Sequence, residues 1–399
     1  MRKLFVENLQ VRGSRVLVRV DFNVPLGKNG EITDDRRIQE SLRTIEWLSR
    51  NGARTVLMSH WAPSKKKEDP KPSLKLVAER LSQLLRKDVR LAPACTGPEV
   101  KRMLQGLGDG DVMLLENLRL GPEEEKNDPR FAAELAELAE IYVNDAFGSA
   151  HRAHASTEGV THHLRQRAAG FLMKKELDYL GSALESPKRP FVAIIGGAKI
   201  SSKIDVIGAL LKKVDTLIIG GGMAFTFFKA MGREVGKSLL EGDKVDVARK
   251  ILEGGKTGSQ ARILLPIDCI AADRYDNDAE RLVVDSGKIP VDRQCLDIGP
   301  ATIELFSRTI REAKTVVWNG PMGVFEFPNF ARGTFAVAQA LVDCTKLGGI
   351  TIVGGGDSAS AMAEAGLESQ VSHVSTGGGA SLEFLEGKKL PGVEALSDA

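Results

Sequence analysis

Apolar positions along this chain fall into short unbroken runs, separated by longer stretches in which they recur every three to four residues. The runs are Val16–Val20, Thr55–Met58, Val112–Leu115, Ile141–Val143, Val192–Ile195, Thr216–Ile219, Ile263–Leu265, Thr315–Trp318 and Thr351–Val353. Unbroken runs, as opposed to alternating ones, predict strands buried on both faces, as in a parallel sheet covered by helices. The stretches between them, such as Leu74–Leu85 and Phe131–Ile141, carry helical spacing. Strand and helix in alternation predict an α/β fold with helical crossovers. A single TIM barrel is the competing architecture; the runs suit two open sheets better, but their count alone does not separate the two.

The best place for a domain break is 171–190. Phe171–Leu184 reads as one amphipathic helix, with Leu172, Leu177, Leu180 and Leu184 on a stripe. Ser186-Pro187-Lys188-Arg189-Pro190 then stops it, and a new strand follows. Two charged, helix-breaking stretches, Pro63–Ser73 and Gly121–Asp128, read as solvated loops, the second leading into a helix.

Composition narrows the function. A length of 399 residues fits two or three domains. Glycine, at 41 residues, is above its usual share and points to many tight turns. The four cysteines form no CxxC pair, which argues against a zinc ribbon or a disulfide scaffold and fits a reducing cytoplasm. The uncharged run Thr216–Phe228 covers 13 residues, too short for a membrane span. A net charge of +2 argues against general nucleic-acid binding. Residues 1–180 hold 30 basic and 26 acidic side chains, so any anion site must come from placed charges.

In the back half, four segments run from β-prone residues into glycines: Ile194–Lys199, Ile218–Met223, Ile352–Asp357 and Ser375–Ala380. Glycines at strand ends bare backbone N–H groups, and a following helix start adds positive potential, which together suit phosphates. Four such turns predict a nucleotide cleft. Gly232–Ser238 has one residue too few for a P-loop and follows a helical stretch, so it is rejected. Gly354–Ala359 fits GxGxxA and leaves a two-domain dehydrogenase as a rival reading. Lys199 and Lys203, at i and i+4, are expected on one helical face toward a phosphate chain. Asp357, directly after a glycine triplet, is either a helix N-cap or a carboxylate that meets phosphate through Mg²⁺.

In the front half, strand ends deliver a different set. Arg19, Asp21 and Asn23 alternate at the end of the first run; Arg36 and Arg37 follow an acidic turn; Ser59 and His60, then Arg119, then His151 and Arg152 follow later runs. Several arginines at one edge suit a small, multiply anionic ligand, because guanidinium binds phosphate and carboxylate bidentately. The HRAH spacing has no acidic or thiol partners for a metal.

Ten stretches in order then resemble the phosphoglycerate kinase family over essentially the whole chain: RVDFNVPL (19–26), ITDDRRI (32–38), LLENLR (114–119), VNDAFGSAHRAHAST (143–157), GGAKISSKI (196–204), IIGGGMAFTF (218–227), DIGP (297–300), VVWNGPMGVFE (316–326), VGGGDSASA (353–361) and HVSTGGGASLEFLEG (373–387). The resemblance implies two Rossmann-like lobes, each a parallel sheet sandwiched by helices, joined by a hinge helix. It implies an N-terminal 3-phosphoglycerate-binding domain over 1–172, with the tail 388–399 returning to it. An interdomain helix over 173–187 and a nucleotide-binding domain over 188–387 complete the division. The implied reaction is phosphoryl transfer between 1,3-bisphosphoglycerate and ADP, giving 3-phosphoglycerate and ATP, in line and after hinge closure, with Mg²⁺. A cytoplasmic monomer, with no nucleic-acid or membrane partner, is implied too.

Residue by residue, the resemblance places Asp21, Asn23, Arg37, Ser59, His60, Arg119, His151 and Arg152 around 3-phosphoglycerate, with Arg36 in a variable slot. It places Lys199, Lys203, Gly220, Gly221, Gly299, Asn319, Glu326, Gly354, Gly355, Gly356, Asp357 and Ser358 around the nucleotide. Arg37, Lys199, Lys203, Gly355 and Gly378 take the catalytic places, and Asp357 the Mg²⁺ ligand. Ser375–Gly379 is a further hinge element. The acceptor carboxylate is already ionised at neutral pH, so no general base is needed. One loop departs from the family pattern SHLGRP: it reads Ser59-His60-Trp61-Ala62-Pro63-Ser64, with proline in the arginine place. Losing that guanidinium is expected to raise KM for 3-phosphoglycerate more than it lowers kcat.

Overall fold

The computed structural model describes residues 3–62, 72–257 and 261–399. By contact density the chain divides into Met1–Asp178 with Lys389–Ala399, and Tyr179–Lys388.

In the first unit the order is β1 (Arg15–Arg19), α1 (Arg36–Arg50), β2 (Arg54–Met58), α2 (Lys75–Leu85), β3 (Val89–Leu91), α3 (Pro98–Gln105), β4 (Val112–Leu114), α4 (Pro129–Ala136), β5 (Ile141–Asn144) and β6 (Gln166–Ala169). The strands form one parallel sheet in the order β3-β4-β2-β1-β5-β6. Val16, Leu17 and Val18 are fully buried, as expected for a strand covered on both faces. Register sets up the site: Arg19 pairs with Met58 on one side and Asn144 on the other. The carboxyl ends of β1, β2 and β5 therefore lie level, and the polar residues after each emerge at one edge.

Helix α4 begins where Asp128 accepts hydrogen bonds from the Arg130 and Phe131 N–H groups at 2.9 and 3.0 Å, with proline at the first helical position. It ends at Ala136, well short of the Phe131–Ile141 stretch expected from spacing, because Ile141 already opens β5. Much of the loop Pro63–Ser73, including Pro63, lies outside the described residues.

Helix α5 (Phe171–Glu185) runs from the first unit into the second. Its first turn is held by buried Asp145, whose Oδ1 accepts from the Leu172 and Met173 N–H groups at 2.9 and 3.1 Å. Within the first unit the C-terminal residues are stitched to the body. Gly392 donates to the Ala150 carbonyl at 2.8 Å, Ser397 donates to the Arg167 carbonyl at 2.9 Å, and Leu4 donates to the Ser397 carbonyl at 2.8 Å.

The second unit continues with β7 (Phe191–Ile195), α6 (Ile204–Leu210), β8 (Thr216–Ile219), α7 (Ala224–Ala230), α8 (Val245–Thr257), β9 (Arg262–Leu264), β10 (Asp268–Ala272), β11 (Arg281–Asp285), β12 (Gln294–Ile298), α9 (Pro300–Glu312), β13 (Thr315–Asn319), α10 (Arg332–Lys346), β14 (Ile350–Gly354), α11 (Gly356–Glu364), β15 (His373–Val374) and α12 (Gly379–Leu385). The last helix, α13 (Pro391–Glu394), belongs to the tail. Its main sheet is parallel, in the order β15-β14-β13-β7-β8-β9. Asn319 pairs with both Gly354 and Ile195, and Ile195 with Ile219, so the glycine turns after β7, β8, β13 and β14 start level. Trp318, Ile194, Phe306 and Leu341 are fully buried beneath them. Each such side chain contributes about 1.5–3 kcal/mol through burial.

The parallel-sheet expectation is incomplete here. Strands β10, β11 and β12 form a separate antiparallel sheet in the order β11-β10-β12. It packs Cys269, Ala271 and Cys295 against Phe225 and Phe228 of α7. Among the described residues, no helix is long and apolar enough to cross a membrane.

Candidate functional site

The first site is built at the carboxyl edge of the first unit's sheet. Arg37, in the first turn of α1, reaches back to Asp21 with Nη1 2.6 Å from Oδ2. Arg36 turns instead to Asp34, at 2.6 Å. Asp21 is buried, which pushes its carboxyl up, but Arg37, His60, Arg19 and the Asn23 N–H outweigh that and bring it down to about 2. His60 is held well below the usual imidazole range by burial, with Arg19, Arg119 and Arg37 adding to the effect and Asp21 opposing it. It is therefore neutral at pH 7.

Local hydrogen bonds fix the loops that carry these groups. Ser59 Oγ accepts from the Phe22 N–H at 2.9 Å and donates to the His60 carbonyl at 3.0 Å. The side-chain oxygen of Asn23 accepts from the Ala62 N–H at 2.8 Å. Trp61 is fully buried, with its indole N–H donating to the Val24 carbonyl at 2.8 Å and its backbone clamped by Asn117 at 2.9 and 2.8 Å. Arg119 sits beyond Asn117, 3.4 Å from Glu125, and burial lowers the pKa of its guanidinium. Arg152 is exposed and donates from Nε to His151 Nε2 at 3.2 Å. The structure thus gathers Asp21, Asn23, Arg37, Ser59 and His60 tightly, with Arg119 placed among the charges acting on His60 and Arg152 among those acting on Arg119.

The second site is a cavity of about 460 Å³ in the second unit. Its walls include Gly197, Gly221, Gly222, Phe225, Leu296, Pro321, Met322, Val324, Glu326 and Asp357. Gly221, on the wall, and Gly355, beside Asn319, show why glycine is needed at such positions. Gly221 has φ +67°, and a Cβ there would stand 2.6 Å from the Gly197 nitrogen. Gly355 has φ +86° at the N-cap of α11, where a Cβ would meet the Asn319 side chain at 2.9 Å. Both are left-handed conformations that other residues adopt only under strain.

Lys203 stands beside this cavity. Its Nζ donates to the Gly196 carbonyl and to Asn319 Oδ1, both at 2.8 Å, and to the Asn319 carbonyl at 3.2 Å. Burial lowers its pKa to about 8, against the pull of Asp357. The shared helical face expected for Lys199 and Lys203 does not form. Helix α6 begins at Ile204, so Lys203 is its N-cap residue and Lys199 an exposed residue just ahead of the preceding turn. The reason is local: the Lys203 N–H bonds to the Ile200 carbonyl at 2.8 Å, closing a turn before the helix starts.

Other placements differ in detail. Asp357 lies in the first turn of α11, and Gly355, not Asp357, is the N-cap. Ser358 is buried and accepts from the Gly320 N–H at 2.6 Å, bracing the turn after β13. Gly354 closes β14 and Gly356 opens α11, while Gly378, at φ +48°, is the N-cap of α12. Gly220 is packed under Met322, and Gly299 is the N-cap of α9 against the Asp268 carboxylate. Neither lines the cavity; Leu296, Asp297 and Ile298, just before Gly299, do.

Sequence reasoning missed Asp297, which is buried within the cavity wall, and whose carboxyl is pushed up to about 7 by burial. It accepts from the Gly333 and Ile298 N–H groups at 2.8 and 2.9 Å. Its position inside the DIGP segment was the available signal.

The sequence model of the family described as phosphoglycerate kinase matches residues 6–388. A protein named phosphoglycerate kinase from Chlorobium phaeobacteroides strain BS1 is 58% identical over 398 residues, covering 100% of both chains. One from Chlorobaculum tepidum is 57% identical at the same coverage. Among solved structures, phosphoglycerate kinase from Coxiella burnetii superposes with a TM-score of 0.88 at 40% identity, covering 98% of each chain. The Pyrococcus horikoshii OT3 enzyme superposes with a TM-score of 0.85 at 31% identity, also over 98% of each chain. The chain belongs to the phosphoglycerate kinase family.

Proposed function

We propose that this chain moves a phosphoryl group between 1,3-bisphosphoglycerate and ADP, giving 3-phosphoglycerate and ATP. The observation that supports it most is the pairing of two anion sites of different design on one chain, one basic and one glycine-walled. A dehydrogenase would leave the first of them without use.

In this reading, Arg37, Arg119 and Arg152 neutralise the anionic ends of 3-phosphoglycerate, and His151 helps to orient them. Asp21 and Asn23 receive its hydroxyl and carboxylate end, and Ser59 holds the His60 loop. Asp21 is ionised, so it can accept a hydrogen bond from the hydroxyl and at the same time hold Arg37 in place. His60, being neutral, offers one ring N–H as a donor, and its lowered pKa makes its other nitrogen too weak to serve as a general base. None is needed, because the attacking carboxylate is already charged.

The second site takes the nucleotide. Gly221 and Gly222 let the ligand approach the backbone, and Glu326 on the cavity wall suits the ribose hydroxyls. The Asn319 side-chain N–H group has no acceptor among the described residues and is placed to serve a phosphate oxygen. Lys203 is held by neutral oxygens alone, which leaves its charge available to the transferring group, and Lys199 lies one turn before it. The backbone at Gly354–Gly356 and Gly378 bares N–H groups toward the transferred oxygens.

Asp357, an exposed carboxylate on the cavity wall, fits one Mg²⁺ ligand with phosphate oxygens supplying others. Bound there, Mg²⁺ would neutralise the charge of the phosphate chain. Because the two ligands belong to different units, in-line transfer requires domain closure. Both sites are complete within one chain, which supports a monomer, and small soluble substrates suit a cytoplasmic enzyme. The test is ATP formation from ADP and 1,3-bisphosphoglycerate in a coupled assay, with and without Mg²⁺. Turnover that depends on Mg²⁺ is expected; nucleotide binding with no turnover would refute the proposal.

A further inference from the structure

We propose that Arg19, Ser156 and Glu124 act as positioning residues that fix the tautomer of His60, so that its Nε2–H is a standing donor toward 3-phosphoglycerate. The inference rests on the reading of the first site as the phosphoglycerate site.

Arg19 ends β1 and is 1% exposed. Its Nη2 lies 3.1 Å from His60 Nδ1. A guanidinium carries only donors and stays protonated, so the bond has one possible direction: Nδ1 accepts and bears no proton. A neutral imidazole with a bare Nδ1 holds its proton on Nε2. Burial and the charges of Arg19, Arg119 and Arg37 keep the ring neutral against the pull of Asp21.

The orientation of Arg19 is set one step further back. Its Nε donates to Ser156 Oγ at 2.7 Å, and its Nη1 donates to the Val20 carbonyl. The Ser156 hydroxyl could in principle turn its proton toward Arg19. Glu124 prevents this, because Ser156 donates its O–H to Glu124 Oε1 at 2.5 Å and its N–H to Oε2 at 2.9 Å. Glu124 is 1% exposed, with His154 Nδ1 at 3.9 Å. Burial lowers the His154 pKa to about 4, so that ring is neutral too. Burial pushes the Glu124 carboxyl up, opposed by Arg19 and the two bonds from Ser156; with Glu124 as the acceptor, the sense of the bonds around the serine is hydroxyl proton to Glu124, lone pair to Arg19, Arg19 proton to His60.

The consequence is chemical. Carboxylate and phosphate oxygens only accept hydrogen bonds. An Nε2–H attracts them, whereas the other tautomer would aim a lone pair at them. A buried network remote from the ligand thereby decides whether His60 helps or hinders binding.

The experiment is a long-range ¹H–¹⁵N spectrum of the full-length ¹⁵N-labelled protein at pH 7.5, with His60 assigned by its loss in His60→Asn. The expected signature is an unprotonated Nδ1 and a protonated Nε2 that both shift on adding 3-phosphoglycerate. In Ser156→Ala, His60 becomes a mixture of tautomers. KM for 3-phosphoglycerate rises about tenfold, while KM for ATP stays constant and kcat changes less than about twofold. Ser156→Thr, which keeps the hydroxyl, restores both. A protonated Nδ1 in the parent protein overturns the proposal, as does an unchanged KM in a folded Ser156→Ala. If Ser156→Ala does not fold, the parent spectrum decides alone. The expected tautomer with no response to 3-phosphoglycerate would instead refute the reading of the site, and the proposal with it.

Discussion

The two proposed sites would handle anions by different physical means. In the proposed reading side chains would do this in the first unit: long cations gather at the carboxyl edge of its sheet, and a buried carboxylate, Asp21, holds Arg37. In the second, the backbone would do much of it: glycines at level strand ends let N–H groups and helix starts face the cavity, with the half-buried Lys203 beside it. Side-chain recognition gives strength and chemical choice, because each guanidinium can be matched to one oxyanion pair. Backbone recognition gives close approach and little dependence on any one side chain, but it makes the site sensitive to a single added methyl group.

Substitutions can break this contrast at chosen points. The largest effect is expected for Lys203→Met, which removes the charge serving the transferring group. The expected loss is roughly 10²–10³ in kcat, with both KM values within a few-fold, by steady-state kinetics. Next is Arg37→Ala. Removing its charge and freeing Asp21 beside the ligand should raise Kd for 3-phosphoglycerate by roughly 10–100-fold, as read by calorimetry. Gly221→Ala acts through space and φ, with the new Cβ 2.6 Å from the Gly197 nitrogen. It should weaken ADP binding about tenfold and cost about 1–3 kcal/mol of stability, seen as a lower Tm.

A smaller effect is electrostatic. Folding lowers the pKa of Asp21 from 3.8 to about 2, so its contribution is complete above about pH 4 and is lost as pH falls through 2. The contribution is about 2 kcal/mol. Denaturant midpoints measured against pH should therefore fall less steeply below pH 4 in Asp21→Asn than in the parent. The smallest effect is expected at Pro63, where the family pattern has arginine. Pro63→Arg should lower KM for 3-phosphoglycerate several-fold with kcat little changed. An unchanged KM would show that the missing guanidinium makes no contact here.

Much of this was legible in the sequence because burial on both faces leaves an unbroken apolar run, and β1, β2, β5, β7, β8, β13 and β14 all have one. What escaped was short or one-sided. β3, β6 and β15 have four residues or fewer, with a charged, polar or histidine position in each. β11 carries only the three-residue apolar run Leu282–Val284 between two charges, and exposed positions alternate with partly buried and buried ones. The candidate site divided along the same line. That Arg36 and Arg37 follow an acidic turn and Asp357 a glycine triplet could be read from the residues, but only the family resemblance singled out Arg37, and Gly355 rather than Asp357 proved to be the N-cap. The Lys199–Lys203 arrangement could not be read, because a tight turn at Ile200–Lys203 leaves no helical signature. The burial of Arg19 was also hidden. Its partners Ser156 and His60 are brought to it by tertiary packing, 137 and 41 residues away.

The separation of the two recognition modes is tested most directly by calorimetric titration of 3-phosphoglycerate and of Mg²⁺ with ADP into Arg37→Ala and Gly221→Ala. A crossed pattern is predicted: Arg37→Ala loses 3-phosphoglycerate binding and keeps ADP binding, and Gly221→Ala does the reverse. Equal weakening of both ligands by either substitution would contradict it.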